Sequence, residues 1–163
     1  MRLAAVMFRR GICYPDDMRI LPVEPDHIPA LSALAGETFS ETFGHLYPPE
    51  DLADFLTGSY AVAKLAAEVA DPAQYWRMVV DEQGYAVAYV QCGPVSLPHP
   101  EADPAHEGEL KRIYVRASHQ GHGLGRRLID AALAWMVERY GGAAISLDIF
   151  RQRVAAACTT GRR

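Results

Sequence analysis

The sequence predicts an α+β domain with a mixed, mostly antiparallel sheet flanked by helices. Three observations carry this. Apolar residues recur at helical spacing through the first half of the chain. Two β-rich runs then flank a short turn, which reads as a hairpin and so as antiparallel pairing. A further strand runs into a glycine-rich loop, a helix and one last strand. The order is β-α-α-α-β-β-β-α-β, with no internal repeat and no low-complexity segment.

Each element has a local cause. "MRILPV" (Met18–Val23) is a short strand closed by Pro22 and Pro25. Asp26 is placed as an N-cap, with Pro29 in the turn that follows. Ile28, Leu31, Leu34, Ala35, Thr38 and Phe39 then mark one helical face. A second helix starts at Pro49 with Leu52, Phe55 and Leu56, and a third covers Val62–Val69. "YWRMVVDEQGYAVAYVQCGPV" is the hairpin, turning at residues 82–84. Pro94, Pro98, Pro100 and Pro104 make 94–106 a surface loop. "GELKRIYVRA" is a strand, and Leu124, Leu128, Ile129, Ala132, Leu133 and Met136 define a helix that ends near Gly141 and Gly142. "AAISLDIF" is the final strand.

At 163 residues the chain suits one domain with a core of useful size. Half the residues are hydrophobic, 22% are charged, and the net charge is −4. An acidic balance argues against nucleic acid, which needs a basic face. No apolar run approaches the length of a membrane span. Cys13, Cys92 and Cys158 are odd in number and far apart, so neither a metal site nor a disulfide framework is expected, and the setting is read as cytoplasmic. His99 and His106 with Glu101 and Asp103 match no metal-ligand spacing, and no metal is expected. The start "MRLAAVMFRRG" is too short in apolar residues for a signal-peptide core. Residues 1–17 read poorly as structure, so they form either an N-terminal arm or an upstream extension before a start at Met18.

The most informative run is "SHQGHGLGRRLI", residues 118–129. A helix N-terminus presents unpaired N–H groups and partial positive charge, and glycines let an anion approach them. Gly121, Gly123 and Gly125 sit at that point, with Arg126 and Arg127 next in the chain. The arrangement reads as a diphosphate cradle. A phosphate-binding loop of the Gly-Lys-Ser/Thr type is absent. A dinucleotide fingerprint needs a Gly where Arg126 stands and an early βαβ position. A pantetheine-diphosphate site remains.

"ELKRIYVRASHQGHGLGRRLIDAAL" resembles the acetyl-CoA motif of the GCN5-related N-acetyltransferases (GNAT), whose pattern Arg/Gln-x-x-Gly-x-Gly/Ala follows a strand. Here it is Gln120-Gly121-His122-Gly123-Leu124-Gly125, and the resemblance spans roughly residues 18–150. It implies the acyl-CoA N-acyltransferase fold and acetyl-CoA as the acetyl source. "ETFGHLYPPEDLADFL" further resembles the PaiA-type branch, linked to polyamine acetylation.

The resemblance also implies roles. The backbone of Ile113, Tyr114 and Val115 would pair with the pantetheine arm, and Gln120 through Arg126 would hold the diphosphate. Glu109 occupies a position where several family members carry the general base for a protonated amine. Strand alternation, absent a bulge, puts Glu109, Lys111, Ile113 and Val115 on one face. By analogy residues 37–47 would line the acceptor pocket: Glu37, Glu41, His45 and Tyr47, with Phe39 and Phe43 read rather as core. The acceptor is then a primary amine of a small molecule, polyamine-like, or of a peptide N-terminus or lysine.

After "ISLDIF" the family's Asn, Tyr and last strands are replaced by "RQRVAAACTTGRR". Codons exist for Ala157–Gly161 whose shifted frame reads Leu-Tyr-His-Arg, so a frameshift between Phe150 and Ala157 is the expectation. The domain would then span 18–163, altered after about 150, with its C-terminal strands missing. Two consequences follow: an edge strand that favours a homodimer, and turnover weakened by loss of the Tyr. A CoA-binding protein with little catalysis is the alternative reading.

Overall fold

A computed structural model of the chain describes residues 18–96, 102–141 and 145–147. The elements are β1 (Arg19–Pro22), α1 (Ile28–Phe43), α2 (Pro49–Ser59), α3 (Val62–Ala70), β2 (Tyr75–Val80), β3 (Ala86–Pro94), β4 (Gly108–Val115), α4 (Leu124–Tyr140) and β5 (Ile145–Leu147). The expectations for residues 1–17, for His99 and Glu101, and for the tail beyond Leu147 lie outside the described residues.

The strands form one sheet in the order β1-β2-β3-β4-β5. The first four pair antiparallel, and β5 pairs parallel to β4 through Gly108–Leu110. The parallel step is forced by α4, because a helix between two neighbouring strands returns the chain to the same end of the sheet. The mixed, mostly antiparallel sheet flanked by helices is thus the architecture expected from sequence.

Two apolar clusters cover the two faces. One joins α1 and α3 to the sheet through Leu31, Leu34, Phe39, Leu65, Trp76, Met78 and Tyr89. The other joins α4 to it through Val79, Val90, Cys92, Leu110, Leu124, Leu128 and Met136. Burying each such side chain contributes about 1.5–3 kcal/mol. Near-continuous burial along β3 follows from this two-sided cover.

Three local details differ from the expectations. Asp26 lies inside a 3₁₀ turn, Pro25–His27, rather than capping α1. That turn is closed by the His27 N–H on the Glu24 carbonyl (2.9 Å), and the Glu24 N–H donates to His27 Nδ1 (3.1 Å). The hairpin turns where expected, organised by Asp81, whose Oδ1 accepts the Gln83 and Tyr85 N–H groups at 3.0 and 2.8 Å, while Gly84 takes φ 85°. The proline-rich loop begins one residue late, since Pro94 still pairs with Gly108 and Val95 is buried.

The third detail concerns Lys111. Gln91 pairs with Arg112, but Cys92 pairs with Leu110, so Lys111 has no opposite residue. This is a β-bulge, and it inverts the side-chain alternation along β4. Ile113 and Val115 therefore face the α4 cluster together with Leu110, while Tyr114 packs with the α1 cluster. The expectation that Glu109 shares a face with Ile113 and Val115 is corrected: the extra residue turns it to the opposite side.

Gly108 fixes the other end of β4 against α4. A Cβ there would lie 2.8 Å from the Tyr140 ring and 3.2 Å from Met136 Cγ. Gly108→Ala is expected to destabilise the fold by about 1–3 kcal/mol through overpacking, read from the denaturant midpoint. A midpoint equal to wild type would contradict this packing.

Candidate active site

The bulge in β4 separates two cavities. The first, about 490 Å³, lies on the α4 side. Ile113, Val115, His119, Gln120, Gly121, Gly123, Leu124, Gly125 and Ile129 line it. The second, about 630 Å³, lies on the α3 side. Its walls include Tyr60, Glu68, Asp71, Gln74, Gln91, Ser96, Glu109, Lys111, Arg112 and Tyr114.

The α4 cleft is built from backbone. Gly121 and Gly123 take φ of 80° and 74°, a region L side chains rarely adopt. That geometry ends the loop with Gly123 as N-cap of α4, and no side chain caps the helix. The first N–H groups of α4 have no intrahelical partner and point toward the loop. A Cβ on Gly125 would meet nothing within 4 Å, so the approach to these groups is open. A diphosphate fits there on charge and on hydrogen bonding.

The loop before α4 is tied down from several sides. The Arg116 N–H donates to the Val87 carbonyl (2.9 Å), and its Nε donates to the Ala86 carbonyl (2.9 Å). Arg116 Nη1 pairs with Glu37. The Ala117 N–H donates to Glu41 Oε2 (3.0 Å), and Gln120 Nε2 donates to the Val115 carbonyl (3.0 Å). Arg126 is held by Asp130 at 2.9 Å on the exposed face of α4, and Arg127 Nη2 donates to the Met18 carbonyl (3.0 Å).

The α3-side pocket is built from side chains. Glu109 is 1% exposed. Its Oε2 accepts the Ser96 N–H (2.7 Å), the Ser96 hydroxyl (2.8 Å) and Lys111 Nζ (3.2 Å). Lys111 Nζ also donates to Ser96 Oγ (2.7 Å), closing a three-residue network. Charge-assisted bonds of this kind let a carboxylate stay in a buried place. Nearby, Arg112 Nη1 meets Glu68 Oε2 (3.3 Å), and its guanidinium lies 5.4 Å from the Tyr60 ring centroid. Burial pushes the Tyr60 and Tyr89 hydroxyls above the ordinary tyrosine pKa, Tyr89 the further. Both stay neutral at physiological pH. The pocket holds three acids, Glu68, Asp71 and Glu109, against two bases, Lys111 and Arg112, so it favours a cation.

Some residues singled out from sequence come together here and some do not. Ile113, Val115, Gln120, Gly121, Gly123, Leu124 and Gly125 share the α4 cleft, whereas His122 and Arg126 are exposed and do not line it. Tyr114 lines the α3-side pocket and stacks on Tyr89 at 5.6 Å. Glu109 lines that pocket too, but Glu41, His45 and Tyr47 line neither cavity. Glu41 serves the loop before α4, His45 is exposed, and Tyr47 packs beside Phe39 and Phe55 at 5.9 and 6.4 Å. Sequence reasoning missed Glu68, Gln74, Gln91 and Arg112. Gln91 alone left a local signal, as a polar residue within the apolar run "AVAYVQC".

The chain belongs to the acetyltransferase (GNAT) family, whose model matches residues 29–158. An uncharacterised N-acetyltransferase in the pepI 3′ region of Lactobacillus delbrueckii subsp. lactis is 33% identical over 115 residues, 71% of this chain. The match spans 65% of that relative's length. Among solved structures, the PaiA N-acetyltransferase of Thermoplasma acidophilum in complex with coenzyme A superposes with a TM-score of 0.64. It is 16% identical, over 74% of this chain and 72% of that one. A GCN5-related N-acetyltransferase from Ralstonia eutropha JMP134 gives 0.64 at 22% identity, over 90% and 92%. These likenesses show a shared fold.

The tether from α1 makes a prediction. Glu41→Ala frees the Ala117 N–H and loosens the turn that leads to the glycine loop. Coenzyme A affinity is expected to fall by roughly tenfold, read by calorimetry. Unchanged affinity would show that the tether does not shape the cleft.

Cys92 gives a second prediction. Burial pushes its thiol up to about 12, so it stays protonated and weakly nucleophilic near neutral pH. Mass mapping after iodoacetamide at neutral pH is expected to find the Cys92 peptide unmodified in the native protein and modified once it is unfolded.

Proposed function

We propose that this chain is an N-acetyltransferase that moves acetyl from acetyl-CoA to a primary amine by direct attack. The observation that carries the reading is the pair of cavities on opposite faces of β4, one built of helix-terminal amides and one around a buried carboxylate. The coenzyme A complex of the superposable PaiA structure supports the first as the donor site. The backbone from Gly121 through His122, Gly123, Leu124 and Gly125 to Arg126 would hold the diphosphate, the His122 and Arg126 side chains lying outside the cleft. Gln120 would shape the turn, and the backbone of Ile113, Tyr114 and Val115 would hold the pantetheine arm. The acceptor is a small primary amine, polyamine-like, or a peptide N-terminus or lysine.

Acetyl-CoA, as donor substrate, supplies a thioester carbonyl. With the diphosphate on the α4 side of β4, the pantetheine arm would carry the thioester past the strand edge to the α3-side pocket, where the amine attacks it. An amine enters protonated, attracted by the net acidity of the α3-side pocket. Glu109 takes one proton from it, directly or through a water. The free amine then forms the new C–N bond while the C–S bond breaks. The sulfur leaves with its electron pair and takes up the second proton released from the nitrogen, through water, to give the free thiol. Ser96 and Lys111 hold the carboxylate in place before and after the proton arrives. Cys92 is no candidate for a covalent route, because its thiol is buried and protonated.

The homodimer and the cytoplasmic setting expected from the sequence stay part of this reading. The dimer rests on the sequence expectation that the altered tail leaves an edge strand, which favours a partner. Light scattering should give twice the 17.9 kDa chain mass, and a single-chain mass at high concentration would count against the dimer.

Glu109→Gln keeps shape and removes the base. Its kcat for an amine acceptor is expected to drop by about 10²-fold or more, with coenzyme A affinity retained. The lost activity should return partly at high pH, where the amine deprotonates without help. Unchanged kcat would remove Glu109 from the role. Tight coenzyme A binding with no acetyl transfer to any amine would favour a binding protein instead.

A further inference from the structure

The polar cluster in the α3-side pocket contains a group that the catalytic reading does not use. Gln91 is 4% exposed and lies at the centre of β3. Its Nε2 donates to Glu68 Oε2 (3.4 Å) and to Gln74 Oε1 (3.3 Å). The Glu68 carboxylate is an acceptor, which decides the amide's orientation: the nitrogen must face Glu68. Gln91 lines the cavity, and its Oε1 is then a buried carbonyl oxygen with no hydrogen-bond partner. Such a group costs free energy unless something donates to it.

The surroundings hold this amide in place. Gln74 lies directly over Gly93, where a Cβ would collide with its side-chain amide. Arg112 bonds the same Glu68 oxygen and lies over the Tyr60 ring. Asp71 lines the same pocket, and the Arg112 guanidinium is already paired with Glu68.

We propose that Gln91, clamped by Glu68 and Gln74, is a specificity-determining residue whose carbonyl receives a second N–H or O–H donor carried by the acceptor amine. This rests on the acceptor-pocket reading above. The separation follows from the ladder. Glu109 pairs with Gly93, two residues along β3 from Gln91, so Glu109 and Gln91 are diagonal neighbours on one face. Diagonal positions lie roughly 7–8 Å apart. An acceptor with its second donor a few bonds from the reacting nitrogen spans that gap. The excess of acid makes a second ammonium the better donor, with a hydroxyl next. A carboxylate at the same point would meet lone pairs on Gln91 and Glu68 and is rejected.

The test compares four acceptors of one carbon count on the coenzyme A-loaded protein: butylamine, the terminal butane diamine, the matching amino alcohol and the matching amino acid. Calorimetry is expected to show the diamine binding roughly tenfold or more tighter than butylamine, with the amino alcohol between and the amino acid weakest. In Gln91→Leu the ratio of diamine to butylamine affinity is expected to fall to near one, with coenzyme A affinity as the check on folding. Equal binding of diamine and butylamine to the wild-type protein overturns the proposal without any variant. So does a ratio that survives in Gln91→Leu. Acetyl transfer measured in parallel separates the two readings. A binding preference without transfer sinks the acetyltransferase reading and leaves this subsite standing. Transfer without any preference does the reverse.

Discussion

One unpaired residue in β4 organises both cavities. Lys111 sits opposite nothing on β3, and every side chain beyond it changes face. Without the bulge, Glu109 would share a face with Ile113 and Val115, and the carboxylate would project into the apolar cluster beneath α4. With it, one strand serves two sites. Its far half closes the α4 cleft with Ile113 and Val115, while Glu109, Arg112 and Tyr114 close the α3-side pocket. Bulges bend and twist the strand that carries them. Ordinary alternation keeps Lys111 on the Glu109 side, where it reaches the carboxylate two residues away.

The two sites are held by different means. Around the α4 cleft the chain is fixed by backbone conformation and by tethers at its rim, from Glu37, Glu41 and Gln120. Preorganised amides cost little to keep there because the helix fixes them anyway. The α3-side pocket depends on side-chain networks, where each buried polar group needs its partner. Glu109 with Ser96 and Lys111 is one such network, and Glu68 with Gln74, Gln91 and Arg112 is the other. Neutral tyrosines, Tyr60 and Tyr89, back the second network without adding charge.

Much of this was legible in the sequence because local causes were strong. Helical spacing found α1, α2, α3 and α4, and the β-rich runs found the hairpin. Glycines at 121 and 123 marked a loop that needs positive φ. The bulge was not legible, because Lys111 carries no glycine or other turn signal and its effect arises only from pairing with β3. The wall of the α3-side pocket draws Glu68, Gln74, Gln91 and Arg112 from separate segments, which no spacing rule links. Glu37 and Glu41 looked like pocket acids, yet the face of α1 that carries them turns to the loop after β4. Charge type was readable there, and direction was not.

The central proposal is that the bulge divides two binding sites between the faces of β4, the diphosphate of coenzyme A on the α4 side and a small amine on the α3 side. Backbone amide shifts, followed while each ligand is titrated separately, test it most directly. Coenzyme A should perturb Ile113 and Val115 and the run from His119 to Gly125. A small amine added afterwards should perturb Glu68, Gln91, Ser96 and Glu109. Coenzyme A shifts centred on Glu68 and Gln91, or amine shifts centred on the glycine loop, would contradict the account.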